Sequence, residues 1–260
     1  MSVLHPKSRA AAGRERQTAV LGAAPAEAAT PLEAAGRDYV FAEVWARPGL
    51  DPRSRYWITI ASAACGGETS EGLDGYVRGG LKAGVVTLAE LREAALHLAT
   101  YAGWPRGGAL DRSANRVAAE FGLGPEPTPA IREAAWTRAD RLDAGAAAFA
   151  QVMTFPGPPP ITPAYEAGIL NFVFGEMWTR PGLDQRSRRW ITLVGVSESS
   201  SDIPIQSHVY AAMASGDATM DEMHEFVLQY AVNAGWPKAS VIQGAVLAQG
   251  QRVARGEPFQ

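Results

Sequence analysis

One block of this 260-residue chain occurs twice. Residues 43–60 read E-V-W-A-R-P-G-L-D-P-R-S-R-Y-W-I-T-I, and residues 176–193 read E-M-W-T-R-P-G-L-D-Q-R-S-R-R-W-I-T-L, in register without a gap. Two Trp, three Arg and a Pro-Gly do not hold their spacing by chance, so the chain is an internal duplication. Any fold assigned to it must satisfy the same pattern twice.

Local signals then divide each copy into helices. Thr30-Pro31 reads as an N-cap followed by Pro at the first helical position, opening a helix through Trp45, and Arg47-Pro48-Gly49 stops it. Asp51-Pro52 repeats the signal for a helix through Ala64. Residues 70–83 form the next, Thr87 with Glu90 caps another, and residues 106–121 follow the break at Gly103-Trp104-Pro105. Residues 122–129 (G-L-G-P-E-P-T-P) are too rich in Gly and Pro for a helix. They set the boundary between a first unit, 1–122, and a second, 131–260, with 123–130 as linker. The second unit repeats the plan: an Ala-rich helix over 131–154, then helices opened by Thr162-Pro163, Asp184, Asp202 and Thr219 with Glu222, and Gly235-Trp236-Pro237 matching Gly103-Trp104-Pro105. No apolar alternation of period two interrupts this, and the expected fold is all-α.

Composition narrows the function classes. A net charge of −3 gives no basic excess for nucleic acid, and 47% hydrophobic residues suit a chain with a substantial core. No run reaches the roughly 18–20 apolar residues that cross a bilayer, and the N-terminus lacks a secretory core, so a cytoplasmic protein free of membrane is expected. Cys65, the single cysteine, excludes an intrachain disulfide and a thiolate metal site. The four His are scattered, with no acidic partner at ligand spacing, so no metal is expected; nor does any Gly-rich phosphate loop follow a strand.

The string W-x-R-P-G-L-x-x-R-S-R, followed by helix-loop-helix and then A-G-W-P after an acidic helix, resembles the carboxymuconolactone decarboxylase family. Its wider clan includes alkylhydroperoxidase-like thiol proteins. The resemblance covers nearly the whole chain, twice, including the entry helix before Gly22. The thiol branch requires Cys-x-x-Cys with a His four residues on. Here Ser201 and Pro204 precede His208, and Thr69, Gly72 and Tyr76 hold the corresponding places in the first unit, which excludes thiol peroxidase chemistry. The decarboxylase branch commonly carries Glu-Leu-x-x-His at this point. His208 keeps the His, Pro204 replaces the Glu, and the first unit has Gly72 and Tyr76, so the second unit is expected to hold the better-equipped site.

The resemblance implies cofactor-free loss of carbon dioxide from a small carboxylated lactone through a dienolate. Arg188 and Arg186, with Arg55 and Arg53 as counterparts, are the candidates to stabilise the enolate or grip a carboxylate. His208 is the candidate proton donor, and Glu176 and Glu43 would orient an Arg or relay a proton. Trp190, Ser201 and Tyr76 complete the expected substrate contacts. Structural alternatives stand beside these roles: Glu176–Arg188 and Glu43–Arg55 as ion pairs tying helices together, and Trp45, Trp57, Trp178 and Trp190 as core. Glu93, His97 and Tyr101 share a helical face that reads as solvated, His224 as surface, and His5 as part of a disordered tail. A non-catalytic binding protein, and an isomerase or dehydratase using the same enolate, are the competing functions. By analogy the chain is expected to assemble as a trimer of tandem units.

Overall fold

Caps fix most of the helix starts. The computed structural model describes residues 5–67, 70–124 and 129–260; Thr69, weighed above against a thiol position, lies outside them. Helix α1 (Pro6–Leu21) is capped by His5, whose side chain accepts the Lys7 amide, so His5 belongs to the helix and not to a loose tail. A Thr30/Glu33 capping box opens α2 (Pro31–Ala35). The helix expected through Trp45 then widens into a π-helical stretch, π1 (Gly36–Val44), closed by an i to i+5 bond from the Trp45 amide to the Val40 carbonyl at 2.9 Å. Asp51 caps α3 (Pro52–Gly66), and α4 (Ser70–Lys82), α5 (Leu88–Ala102) and α6 (Trp104–Glu120) complete the first copy.

The second copy runs α7 (Arg138–Met153), π2 (Ala164–Met177), α8 (Gln185–Ser199), α9 (Asp202–Ala214), α10 (Met220–Ala234) and α11 (Trp236–Ala254). Its π stretch closes in the same way, Trp178 amide to Val173 carbonyl at 3.0 Å. The Ala-rich helix starts at Arg138, later than the expected 131, because Thr137 and Asp140 form a capping box there. Upstream, the Arg180 guanidinium donates to the Ala130 carbonyl at 2.8 Å and holds that segment away from the helix axis. Among the described residues there are no strands.

In each copy the entry helix docks on the π stretch through a glycine. A Cβ on Gly13 would lie 2.2 Å from the Arg37 carbonyl oxygen, and one on Gly145 would lie 2.1 Å from that of Leu170, so only glycine allows this approach. The acids of the duplicated block secure the same contact. Glu43 pairs with Arg9 at 2.5 Å and Glu176 with Arg141 at 2.6 Å. The pairs Glu43–Arg55 and Glu176–Arg188 expected from the sequence are therefore not formed. Each acid sits on the π stretch beside an entry-helix Arg, while Arg55 and Arg188 point into the other copy.

That crossing welds the repeats. Arg55 of α3 donates to Glu225 at 3.2 Å and to the Gln229 amide oxygen at 2.8 Å, both on α10. Reciprocally, Arg188 of α8 lies 3.6 Å from Glu93 on α5 and 3.4 Å from His97. Arg47 and Arg180 repeat the exchange, contacting Glu225 and Glu93 at 2.6 Å. The geometry is that of an isologous dimer written into one chain. Trp57 and Trp190 lie in one apolar core that draws on both copies, and Trp45 and Trp178 are buried as expected. Glu93 and His97 are buried too, which overturns the solvated face read from their spacing: α5 lies between its own copy and α8.

Candidate functional site

A cavity of about 520 Å³ opens in the second copy, within the roughly 300–1,000 Å³ usual for ligand clefts. Ile169, Val173 and Phe174 of π2 and Phe149 and Met153 of α7 form its apolar wall. Phe155, Pro156 and Pro158 from the following loop cover one side, joined by Phe259, whose ring stacks on Phe155 at 4.7 Å. Polar groups gather at the opposite end: Ser199, Ser201, Ser207 and His208 from α8, α9 and the turn between them, with Thr100 and Tyr101 reaching in from α5 of the first copy. The site is thus built by both repeats.

His208 is 7% exposed and its Nδ1 has no hydrogen-bond partner among the described residues. Burial, reinforced by the positive charge of Arg189, pushes its pKa down to about 3, so the imidazole is neutral in the empty site. It meets the edge of the Tyr101 ring at 5.3 Å. Tyr101 accepts a 2.6 Å hydrogen bond from the Trp178 indole, and burial raises its phenol to about 12, keeping it un-ionised. Behind them the fully buried His97 bonds Thr192 Oγ1 at 2.8 Å, and burial with nearby Arg188 holds it neutral. The counterpart of His97 in the second copy is Gln229, which bonds Thr59 at 3.0 Å and Arg55, both of the first copy. The counterpart positions therefore carry polar groups that lock the helices in both copies, and only the His97 side stands behind a cavity.

The first copy has no matching hollow among its described residues. Its entry helix sits so close to α4 that a Cβ on Gly79 would lie 1.8 Å from the Val20 carbonyl oxygen, and Tyr56 donates to that carbonyl at 2.9 Å. In the second copy Ala211 replaces Gly79 and Arg189 replaces Tyr56; Arg189 donates to the equivalent Val152 carbonyl at 2.6 Å. The extra methyl and the longer side chain hold α7 off α9 and leave space between them. Two turns bordering this space carry left-handed non-glycine residues, Thr154 at φ 65° and Ser200 at φ 54°, where the first copy has Gly22 and Gly67. Such strained backbone gathers at functional sites.

Of the expected site residues, His208 and Ser201 line the cavity. Arg53 and Arg186 do not: Arg53 is held by Glu90 at 2.7 Å and Asp184 at 3.0 Å, and Arg186 by Glu222 at 2.7 Å and Asp51 at 3.3 Å. Arg55 and Arg188 serve the reciprocal clamps, Trp190 packs in the core beneath Arg186, and Tyr76 stacks on Trp45 at 6.2 Å. Glu43 and Glu176 clamp the entry helices. Sequence reasoning missed Tyr101 and Arg189. The signal for Arg189 was present as the one charged departure inside the duplicated block, Arg against Tyr56. Among the described residues no three His, Cys, Asp or Glu side chains stand close enough to hold a metal ion, and no helix is long and apolar enough to cross a membrane.

Comparison with known proteins agrees with this repeated plan. The sequence profile described as the carboxymuconolactone decarboxylase family matches residues 31–114 and again 163–246. A 4-carboxymuconolactone decarboxylase of Acinetobacter baylyi is 38% identical over 88 residues, which span 34% of this chain and 64% of the relative.

Proposed function

The chain belongs to the carboxymuconolactone decarboxylase family, and from that premise we propose that it is a cofactor-independent carboxy-lyase working in the cavity of the second repeat on a small carboxylated lactone or related acid. The observation that carries this reading is His208: a buried imidazole with a free Nδ1, in the wall of an apolar cavity, within the second family-matched segment.

The chemistry follows from the surroundings. A carboxylate entering an apolar cavity loses hydration that its spread-out dienolate product needs less, which favours loss of carbon dioxide. The same anion, placed beside His208, offsets the burial and Arg189 charge that keep the imidazole neutral, so the ring takes up a proton as substrate binds. After carbon dioxide leaves, the carbanion carries the electron pair and the imidazolium returns the proton to carbon. Tyr101, neutral and held by Trp178, fixes the ring face against which His208 sits. His208→Ala is expected to abolish release of carbon dioxide from the lactone substrate, followed by mass spectrometry, with an unchanged far-ultraviolet circular dichroism spectrum. Wild-type turnover in that variant would remove the assignment.

A second reading has its own support. In the empty site His208 is a base rather than an acid, which also suits an isomerase or dehydratase that first removes a proton next to a carbonyl. Product mass separates the two, since isomerisation leaves it unchanged, dehydration removes water and decarboxylation removes carbon dioxide.

A further inference from the structure

We propose that the cavity takes one ligand per chain, and that this ligand carries a single carboxylate, seated at His208, on an otherwise apolar body. The inference rests on the reading above for the position of the site, and it specifies what the relative's name leaves open.

The lining contains no Arg, Lys, Asp or Glu. A second carboxylate, at the end formed by Phe149, Ile169 and Pro158, would lose its hydration with no cation to replace it and only the Tyr165 hydroxyl as a donor, a large cost for a bare charge. At the other end one anion is well provided for. His208 Nδ1 lacks a partner, and the guanidinium of Arg189 lies behind it, fully buried, with Nη1 also unpartnered. The field of Arg189 that opposes a cation at His208 attracts an anion to the same place. Asp217 already pairs with Arg189 Nε at 2.9 Å, so what the ligand anion answers is the unpartnered Nη1 and the unpartnered His208 Nδ1. The limit of one ligand per chain follows from the first repeat, where the contact of Val20 with Gly79 and the bond from Tyr56 close the corresponding space.

Isothermal titration of the full chain with three probes of equal length tests this: octanoate, 1-octanol and the dicarboxylate suberate. Octanoate is expected to bind once per chain, about tenfold or more tighter than either other probe. The measured heat should differ between phosphate and Tris buffers as His208 takes up a proton. Ile169→Trp, filling the apolar end, should lose octanoate binding. Equal or tighter binding of suberate or octanol, two octanoates per chain, or binding of none of the three overturns the proposal. Octanoate binding of this kind without turnover of any carboxylated lactone would cost the lyase reading and leave this one intact. Turnover of a dicarboxylate with octanoate excluded would do the reverse.

Discussion

At the scale of single residues, the site depends on two imidazoles kept neutral by burial. His208 titrates at about 3 in the folded chain, and His97 well below its ordinary 6.5. Unfolded, both return to about 6.5, so below that pH the unfolded chain binds protons that the folded chain refuses. Stability from this source is complete above pH 6.5 and falls as pH drops toward 3, by roughly 1.4 kcal/mol per pH unit for His208, with His97 acting in the same direction. Urea denaturation of wild type and His208→Gln between pH 7 and pH 4 should show the variant losing stability less steeply, as the difference cancels the carboxylates common to both. Parallel curves would mean that His208 is not held neutral. His208 was legible in the sequence because the two copies part at that position, His against Tyr76. His97 and Tyr101 were not, since helical spacing shows which residues share a face but not whether a partner helix covers it. Gln229, the counterpart of His97, held the missing hint: a polar side chain at the matching place between Leu91 and Leu98, or Phe226 and Tyr230, suggests a buried network kept by both copies.

At the scale of helices, a few small residues decide which copy holds a cavity. Caps were readable because a side-chain oxygen three residues from its amide is a local event: the boxes at Thr87 and Thr219 and the cap at Thr30 formed where the sequence placed them, and Glu33 completes a box at Thr30 as well. The π stretches were not readable: a widened turn responds to the entry helix pressed against it, and the residues in contact are distant in sequence. The same distance hid the role of Gly79, whose neighbour is the carbonyl of Val20. Gly79→Ala brings a methyl against rigid backbone that cannot give way as a side chain would. It should destabilise the chain by about 1–3 kcal/mol, the usual cost of overpacking, despite the better helix propensity of Ala. Ala211→Gly in the second copy meets no such obstacle and should cost only about 1 kcal/mol through propensity. Thermal midpoints of the two variants check the asymmetry. If Gly79→Ala were the milder change, the closed state of the first repeat would need another cause.

At the scale of the molecule, the duplication has become a dimer interface inside one chain, and its charges are exchanged between copies. Glu225 holds Arg47 and Arg55 of the first repeat, and Glu93 holds Arg180 and Arg188 of the second. Arg55 and Arg188 are 2% and 1% exposed, so removing either acid strands a buried cation. Breaking one partner of such a pair commonly costs about 3–5 kcal/mol. Glu225→Gln and Glu93→Gln are therefore each expected to lower the stability of the whole chain by that order, rather than that of one repeat. The apolar core explains why: Leu91 and Leu98 of the first copy and Trp190 and Phe226 of the second belong to the same cluster, so neither copy can lose its structure without exposing the other's interior. Unfolding should stay a single transition in both variants, with tryptophan fluorescence and far-ultraviolet circular dichroism giving the same midpoint. Two separated transitions, one moved by Glu225→Gln and the other by Glu93→Gln, would show repeats that fold alone, and the cavity shared by Tyr101 and His208 would then be a contact between domains rather than part of one core.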